Sequence, residues 1–226
     1  MNLQHVDIFF QIIVFLFAIS VHESAHAWMA NRCGDPTARL LGRITLNPLK
    51  HIDILGTVIL PVLGMLTGLP VIGWAKPTPV NPLNFRHQVR DDILTSVVGP
   101  ISNFVIASGA AALLALLAIT SPAGHLVVHG LVGGQIRDAG SLLTPVALLF
   151  YQAMFINVIL GVFNLIPVPP LDGSHVLRHF LPETLRNIYD AVGTVGLLLL
   201  VFFGGRLLWA LIAPVVGFFN ALLLRM

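Results

Sequence analysis

The chain has 226 residues, 56% of them hydrophobic and only 10% charged, with a mean hydropathy of +0.89. Soluble domains carry about 25% charged residues, so this composition excludes an ordinary soluble protein and reads as an integral membrane protein. The net charge is +2, the 12 Lys and Arg are scattered without a dense block, and Cys33 stands alone. A nucleic-acid-binding face, an intrachain disulfide and a cysteine-rich zinc site are therefore excluded.

The length suits an all-α polytopic membrane protein of about five or six transmembrane helices, with no room for a large soluble domain. Segment one runs from about Asp7 to Asn31. Met1 to Asp7 contains no Lys or Arg, and the apolar run continues past any small-residue site straight into the histidine pair. It therefore reads as a retained span, not a signal peptide. Cys33-Gly34-Asp35-Pro36 ends it, with Gly as a C-cap and Pro beyond. Inside this segment lies Val21-His22-Glu23-Ser24-Ala25-His26, an H-E-x-x-H pattern. Positions i and i+4 share a helix face one turn apart, so His22 and His26 can grip one metal ion. Glu23, beside the first ligand, is placed to take a proton from water. Bare polar groups in an apolar segment cost several kcal/mol, which makes a functional role the default reading.

The stretch 32–53 contains Arg32, Arg39, Arg43 and Lys50 against Asp35 and Asp53, a basic excess that marks the cytoplasmic side. Segment two, Ile54 to Leu69, is interrupted by Gly56, Pro61, Gly64 and Gly68. Its sixteen residues reach only ~24 Å as helix, short of a ~30 Å core, and such segments are often re-entrant. Gly73-Trp74-Ala75-Lys76-Pro77-Thr78-Pro79-Val80-Asn81-Pro82 follows, where three prolines exclude a helix. Segment three is expected at about Ile93 to Ile119, then a nearly neutral loop from Ser121 to Gly140 on the outer face. Segment four, about Ser141 to Ile166, breaks at Pro167-Val168-Pro169-Pro170 before Leu171-Asp172-Gly173. Segments five and six are expected at about Ile188 to Phe203 and Leu207 to Leu224, with Arg206 between them.

A catalytic zinc takes three protein ligands and leaves a position for water. Among 10 acidic residues, Asp172 is the best third candidate, since it follows a proline-broken helix end where unwound backbone can surround a polar site. Topology offers a check. If segment two crossed the membrane fully, Asp172 would reach the face opposite the histidine pair. If segment two is re-entrant, Asp172 arrives at the same face as His22 and His26. Arg43 and Lys50 before it, and Lys76, Arg86 and Arg90 after it, favour the re-entrant arrangement.

Together, His22-Glu23-x-x-His26, Gly73-Trp74 with its proline-rich run, Gly99-Pro100-x-x-Asn103 and Asn164-x-x-Pro167-x-x-x-Leu171-Asp172-Gly173 resemble the site-2 protease family of intramembrane zinc metalloproteases. The resemblance spans about Val14 to Leu177. It implies that His22, His26 and Asp172 bind zinc, one ion per chain, and that Glu23 is the general base. It also implies that Gly73 to Pro82 is a short membrane-embedded β-hairpin guiding a substrate strand. Many members carry a PDZ or CBS domain; this chain has room for neither and looks like a minimal bacterial or archaeal form. The expected organisation is one domain over residues 1–226, a core at about 7–181 and additional C-terminal helices at about 188–226. The expected partners are a transmembrane protein substrate and the lipid bilayer, with the active site toward the cytoplasmic side of a cell membrane. Asn164 is a candidate catalytic residue that hydrogen-bonds the oxyanion or orients the substrate backbone; the alternative is a cap on its helix end.

Asn103 reads as an interhelical hydrogen-bonding residue or a support for the site. His175 and His179, spaced i,i+4 after Asp172, read as solvated or supporting histidines, and His87 as a loop residue. The competing functions are a transporter with an intramembrane metal site and an inactive, protease-like binding protein. The intact Glu23 argues against the second, and the absence of repeated halves against the first.

Overall fold

The computed structural model describes residues 3–59, 75–135 and 142–226. The α-helices are α1 (Leu3–Cys33), α2 (Thr37–Leu40), α3 (Gln88–Thr120), α4 (Pro122–Val132), α5 (Leu143–Asn164), α6 (Asp172–Arg178), α7 (Glu183–Phe203) and α8 (Gly205–Leu224). Four helical stretches are long and apolar enough to cross a membrane: Val6–Cys33, Gln88–Thr120, Leu143–Asn164 and Gly205–Leu224. α7 bends by 54° between Glu183–Gly193 and Val195–Phe203 and makes a fifth if counted as one span. Ile8, Phe9, Ile12, Ile13 and Phe17 of α1 and Leu207, Trp209, Leu211 and Phe218 of α8 are exposed. Helices that are apolar on their outer faces as well as their inner ones belong in lipid.

Several expectations change. The described residues hold four or five spans, where five or six are expected of the whole chain. Most of segment two, and Gly73-Trp74 at the start of the expected β-hairpin, lie outside the described residues. The described start of segment two, Ile54–Ile59, is a π-helical turn. Ala75 to Asn81 has neither helix nor strand, and no strand occurs among the described residues; the prolines at 77, 79 and 82 remove the donors a ladder needs. The expected loop after Ser121 contains α4 instead. Ser121 Oγ accepts the Gly124 N–H at 3.2 Å and Pro122 fills the first turn, a helix start whose signal was present in the sequence. Arg206 lies in the first turn of α8.

The chain forms two compact units. The first comprises residues 1–18, 103–160 and 210–226. Small buried residues, among them Ala107, Ala110, Ala111 and Ala147, allow close approach, and Leu114, Leu148 and Met154 fill the interior. Asn103 and Asn157 are fully buried; the Asn103 amide donates to Asn157 Oδ1 at 2.8 Å, joining α3 to α5. Asn103 is thus an interhelical residue.

The second unit comprises residues 19–102 and 161–209. α1 ends at Gly34, whose φ of +113° is one that side chains rarely tolerate, and the Asp35 N–H returns to the Ala30 carbonyl at 2.9 Å. Asp35 is fully buried. Its carboxylate accepts the Thr37 N–H and hydroxyl (3.1 and 2.5 Å), the Asn81 N–H (2.7 Å) and the Asn84 amide (2.8 Å). The two flanks of the segment outside the described residues meet. The Lys76 N–H donates to the His51 carbonyl at 2.8 Å, and buried Arg43 donates to the Lys50 carbonyl at 2.6 Å and the Lys76 carbonyl at 3.4 Å. Further along, Tyr189 donates to the Pro167 carbonyl at 2.9 Å, and Gly193 lies against Pro169, where a Cβ would come within 2.3 Å of the ring.

Burial by itself would raise the Asp35 pKa, but the donors from Asn84, Thr37 and Asn81 outweigh it and hold the group below the usual carboxylate value. A group with a depressed folded pKa stabilises the fold above its unfolded pKa and loses that contribution as pH falls through the folded value. Asp35→Ala is expected to lower the thermal unfolding midpoint, since each buried donor left unpaired costs about 1–3 kcal/mol. The gap from the wild type, followed by thermal unfolding in detergent, should be full at neutral pH and close in acid.

Candidate metal centre

His22, Glu23 and His26 lie in the second half of α1. The two imidazoles are 7% exposed each. They sit one turn apart with ring centroids at 4.6 Å, nearly perpendicular, and with their Nε2 atoms 3.0 Å apart. Asp172 opens α6. It reaches them through the turns that follow α5, with Oδ2 at 3.1 Å from His22 Nε2 and Oδ1 at 3.4 Å from His26 Nε2. One ligand atom from each of the three residues lies within 4.8 Å of the others.

Two glycines make this convergence possible. At Gly173 a Cβ would lie 2.2 Å from the Leu165 carbonyl oxygen, so only glycine lets α6 start this close to the preceding turn. At Gly99 a Cβ would lie 2.3 Å from His26 Nε2 and 2.7 Å from His22 Cε1. α3 therefore offers the imidazoles a surface with no side chain.

The donor set fits a zinc ion. His26 Nδ1 is 2.6 Å from the Thr95 carbonyl; a carbonyl only accepts, so Nδ1 carries the hydrogen and Nε2 presents a lone pair. Asp172 Oδ2 is buried and has no hydrogen-bond partner, although it lies close to His22. Lone pairs gathered in a buried place repel one another and lack solvation, and a divalent cation is the group that satisfies them together. Two imidazole nitrogens and one carboxylate, with a position left for water, are the ligands of a catalytic zinc.

Glu23 is half-buried, and its Oε2 accepts the Thr78 N–H at 2.9 Å and the Thr78 hydroxyl at 2.7 Å. Neither Thr78 nor Thr95 had been distinguished in the sequence. Thr95 acts through its main chain, which leaves no residue signature, and Thr78 sits among prolines that read only as a break. Asn164 is the half-buried last residue of α5; it stands at the proline-broken helix end and outside the group of three ligand candidates. His175 and His179 do not form a second ligand set among the described residues. His179 Nε2 is 2.7 Å from Asp92 Oδ2 and His175 Nδ1 is 3.8 Å from the same oxygen, so the pair ties α6 to α3. The Asp92 carboxylate beside it raises the His175 pKa. His87 precedes α3, where its N–H bonds to Asp91 Oδ2 at 2.9 Å.

Membrane-length helices bearing a buried two-histidine, one-carboxylate centre with an adjacent glutamate define a membrane protein with a metallohydrolase-type site. The chain belongs to Peptidase family M50, the site-2 protease family, which matches residues 10–203. A Bacillus subtilis protein named "Putative zinc metalloprotease YwhC" is 33% identical over 206 residues, covering 89% of this chain and 84% of that protein. Proteins named "Putative zinc metalloprotease Rip2" from Mycolicibacterium smegmatis and Mycobacterium tuberculosis are 32% and 29% identical. They match over 84% and 89% of this chain and over 64% and 69% of their own lengths. No solved structure matches the chain significantly.

Gly99→Ala should displace the imidazoles and lower zinc affinity about 10- to 100-fold, the range seen when the support of a metal ligand is lost. Thr95→Ala, which keeps the carbonyl, should leave affinity near the wild-type value. Competition with a fluorescent zinc chelator measures both.

Proposed function

We propose that this chain is a zinc-dependent intramembrane endopeptidase that cleaves transmembrane segments of membrane-protein substrates. The observation that carries this reading is the buried convergence of His22, His26 and Asp172 on a membrane-length helix and the proline-broken turn after another. His22, His26 and Asp172 hold one zinc ion per chain. Bound there, zinc supplies Lewis acidity, lowering the pKa of water toward ~7 and polarising the scissile carbonyl. Glu23 takes a proton from the attacking water and returns it to the departing amine nitrogen. Asn164 hydrogen-bonds the substrate, at the carbonyl oxygen or along its backbone.

A transmembrane helix shields its own peptide bonds and must unwind before hydrolysis. The 75–82 stretch, the described part of the expected hairpin, lies beside Glu23 and offers an element along which an unwound substrate strand can lie. The re-entrant reading of segment two is supported by its flanks. A spanning segment separates its ends by the membrane thickness, whereas the His51 carbonyl here accepts the Lys76 N–H. Arg43, Lys50, Lys76, Arg86 and Arg90 then lie on one side, which the basic excess assigns to the cytoplasm of a bacterial or archaeal cell. The transporter and inactive-relative alternatives are not favoured, because Glu23 is intact and belongs to the site.

Glu23→Gln should retain zinc and lose about 10²- to 10⁴-fold in cleavage of a transmembrane substrate, the usual contribution of a general base. Cleavage persisting at the wild-type rate would sink the mechanism. A reporter fused after Lys76 should report the cytoplasm, and an extracytoplasmic signal would refute the re-entrant arrangement.

A further inference from the structure

Among the described residues, Glu23 is held by one partner. Its Oε2 accepts both the N–H and the hydroxyl of Thr78, and the same hydroxyl lies 3.0 Å from the Glu23 main-chain carbonyl. No other hydrogen bond reaches this carboxylate among the described residues. The local sequence is Lys76-Pro77-Thr78-Pro79-Val80. Proline has no N–H, so Thr78 carries the one main-chain donor between Lys76 and Val80. Farther along the chain in each direction, Lys76 N–H is anchored on the His51 carbonyl and Asn81 N–H on Asp35 Oδ2 at 2.7 Å. A shift of one residue in either direction would turn a proline toward Glu23 and leave its carboxylate without a backbone donor. The alternation of proline and threonine thus sets a register in which a single donor-bearing residue faces the glutamate.

We infer that Thr78 is the positioning residue of the base, an inference that rests on the reading of Glu23 given above. Two donors on Oε2 fix the plane of the carboxylate and leave Oε1 as the oxygen that moves the proton. As the water oxygen bonds to the peptide carbon, one water proton passes to Glu23 Oε1. As the C–N bond breaks, that proton passes to the amine nitrogen, and Thr78 exchanges none of its own. The arrangement separates holding from proton transfer. In Glu23→Gln the amide oxygen still accepts both Thr78 donors, so the anchor survives while the base is lost.

The experiment uses the zinc-loaded full chain in detergent with a fluorogenic peptide of leucine and alanine, built around a central glycine pair, as the transmembrane probe. Thr78→Val removes the hydroxyl and keeps the shape and the N–H. It is expected to lower kcat about 10- to 100-fold, the factor for losing a hydrogen bond to a charged group, with KM, bound zinc and the unfolding midpoint unchanged. Thr78→Ser should restore kcat. If valine lowers the midpoint, Thr78→Ala carries the same comparison with less bulk. A hydroxyl-free variant with wild-type kcat, or one whose loss lies wholly in KM or zinc content, overturns the role of Thr78. Cleavage that survives in Glu23→Gln overturns instead the reading of Glu23 as base, so the two failures are distinguishable.

Discussion

The structure depends on the meeting of two imidazole nitrogens and a carboxylate at one place. His22 and His26 point their Nε2 atoms at the same place, and Asp172 brings a carboxylate to it. Asp172 Oδ2 is buried there without a hydrogen-bond partner, and a cation is the group that compensates a buried carboxylate beside two imidazole nitrogens. Much around it is arranged to hold the groups there. The Thr95 carbonyl fixes the face of the His26 ring, Gly99 leaves room for both imidazoles, and Gly173 lets α6 begin against the preceding turn.

Glu23 is held by a different device. Residues 76–81 belong to no sheet, yet each donor of theirs described above ends on a defined acceptor: a main-chain carbonyl, the Glu23 carboxylate and the buried Asp35 carboxylate. Prolines at 77 and 79 remove competing donors and stiffen the stretch. A segment without regular secondary structure is thereby given one register against α1. The same bonds bring the flanks of segment two together, which links the topology to the geometry of the site.

Much of this was readable beforehand. The helix carrying His22, Glu23 and His26 followed from its apolar run and its Gly-Asp-Pro ending, and the i,i+4 spacing is a property of the helix itself. Asp172 could be chosen because a membrane chain has few acidic residues and because proline breaks mark irregular backbone. α4 was missed although Ser121 and Pro122 announced it, because an apolar helix of eleven residues is too short to register as a span. The hairpin expected at 73–82 came from resemblance, whereas in its described part the N–H groups of Lys76, Thr78 and Asn81 end on a loop carbonyl and two side chains.

By itself, the sequence determined the membrane class, the helices long enough to span, and the identities of the metal-ligand candidates. These depend on composition and on near-neighbour spacing, both of which are written along the chain. Only the tertiary structure decided that Thr95 and Thr78 hold the site, that Gly99 faces the imidazoles, that Asp92 ties α3 to α6, and that Asp35 gathers residues 81–84. Those contacts join residues far apart in sequence, and several run through main-chain atoms that every residue shares. No pattern of residue types records them until packing brings the segments together.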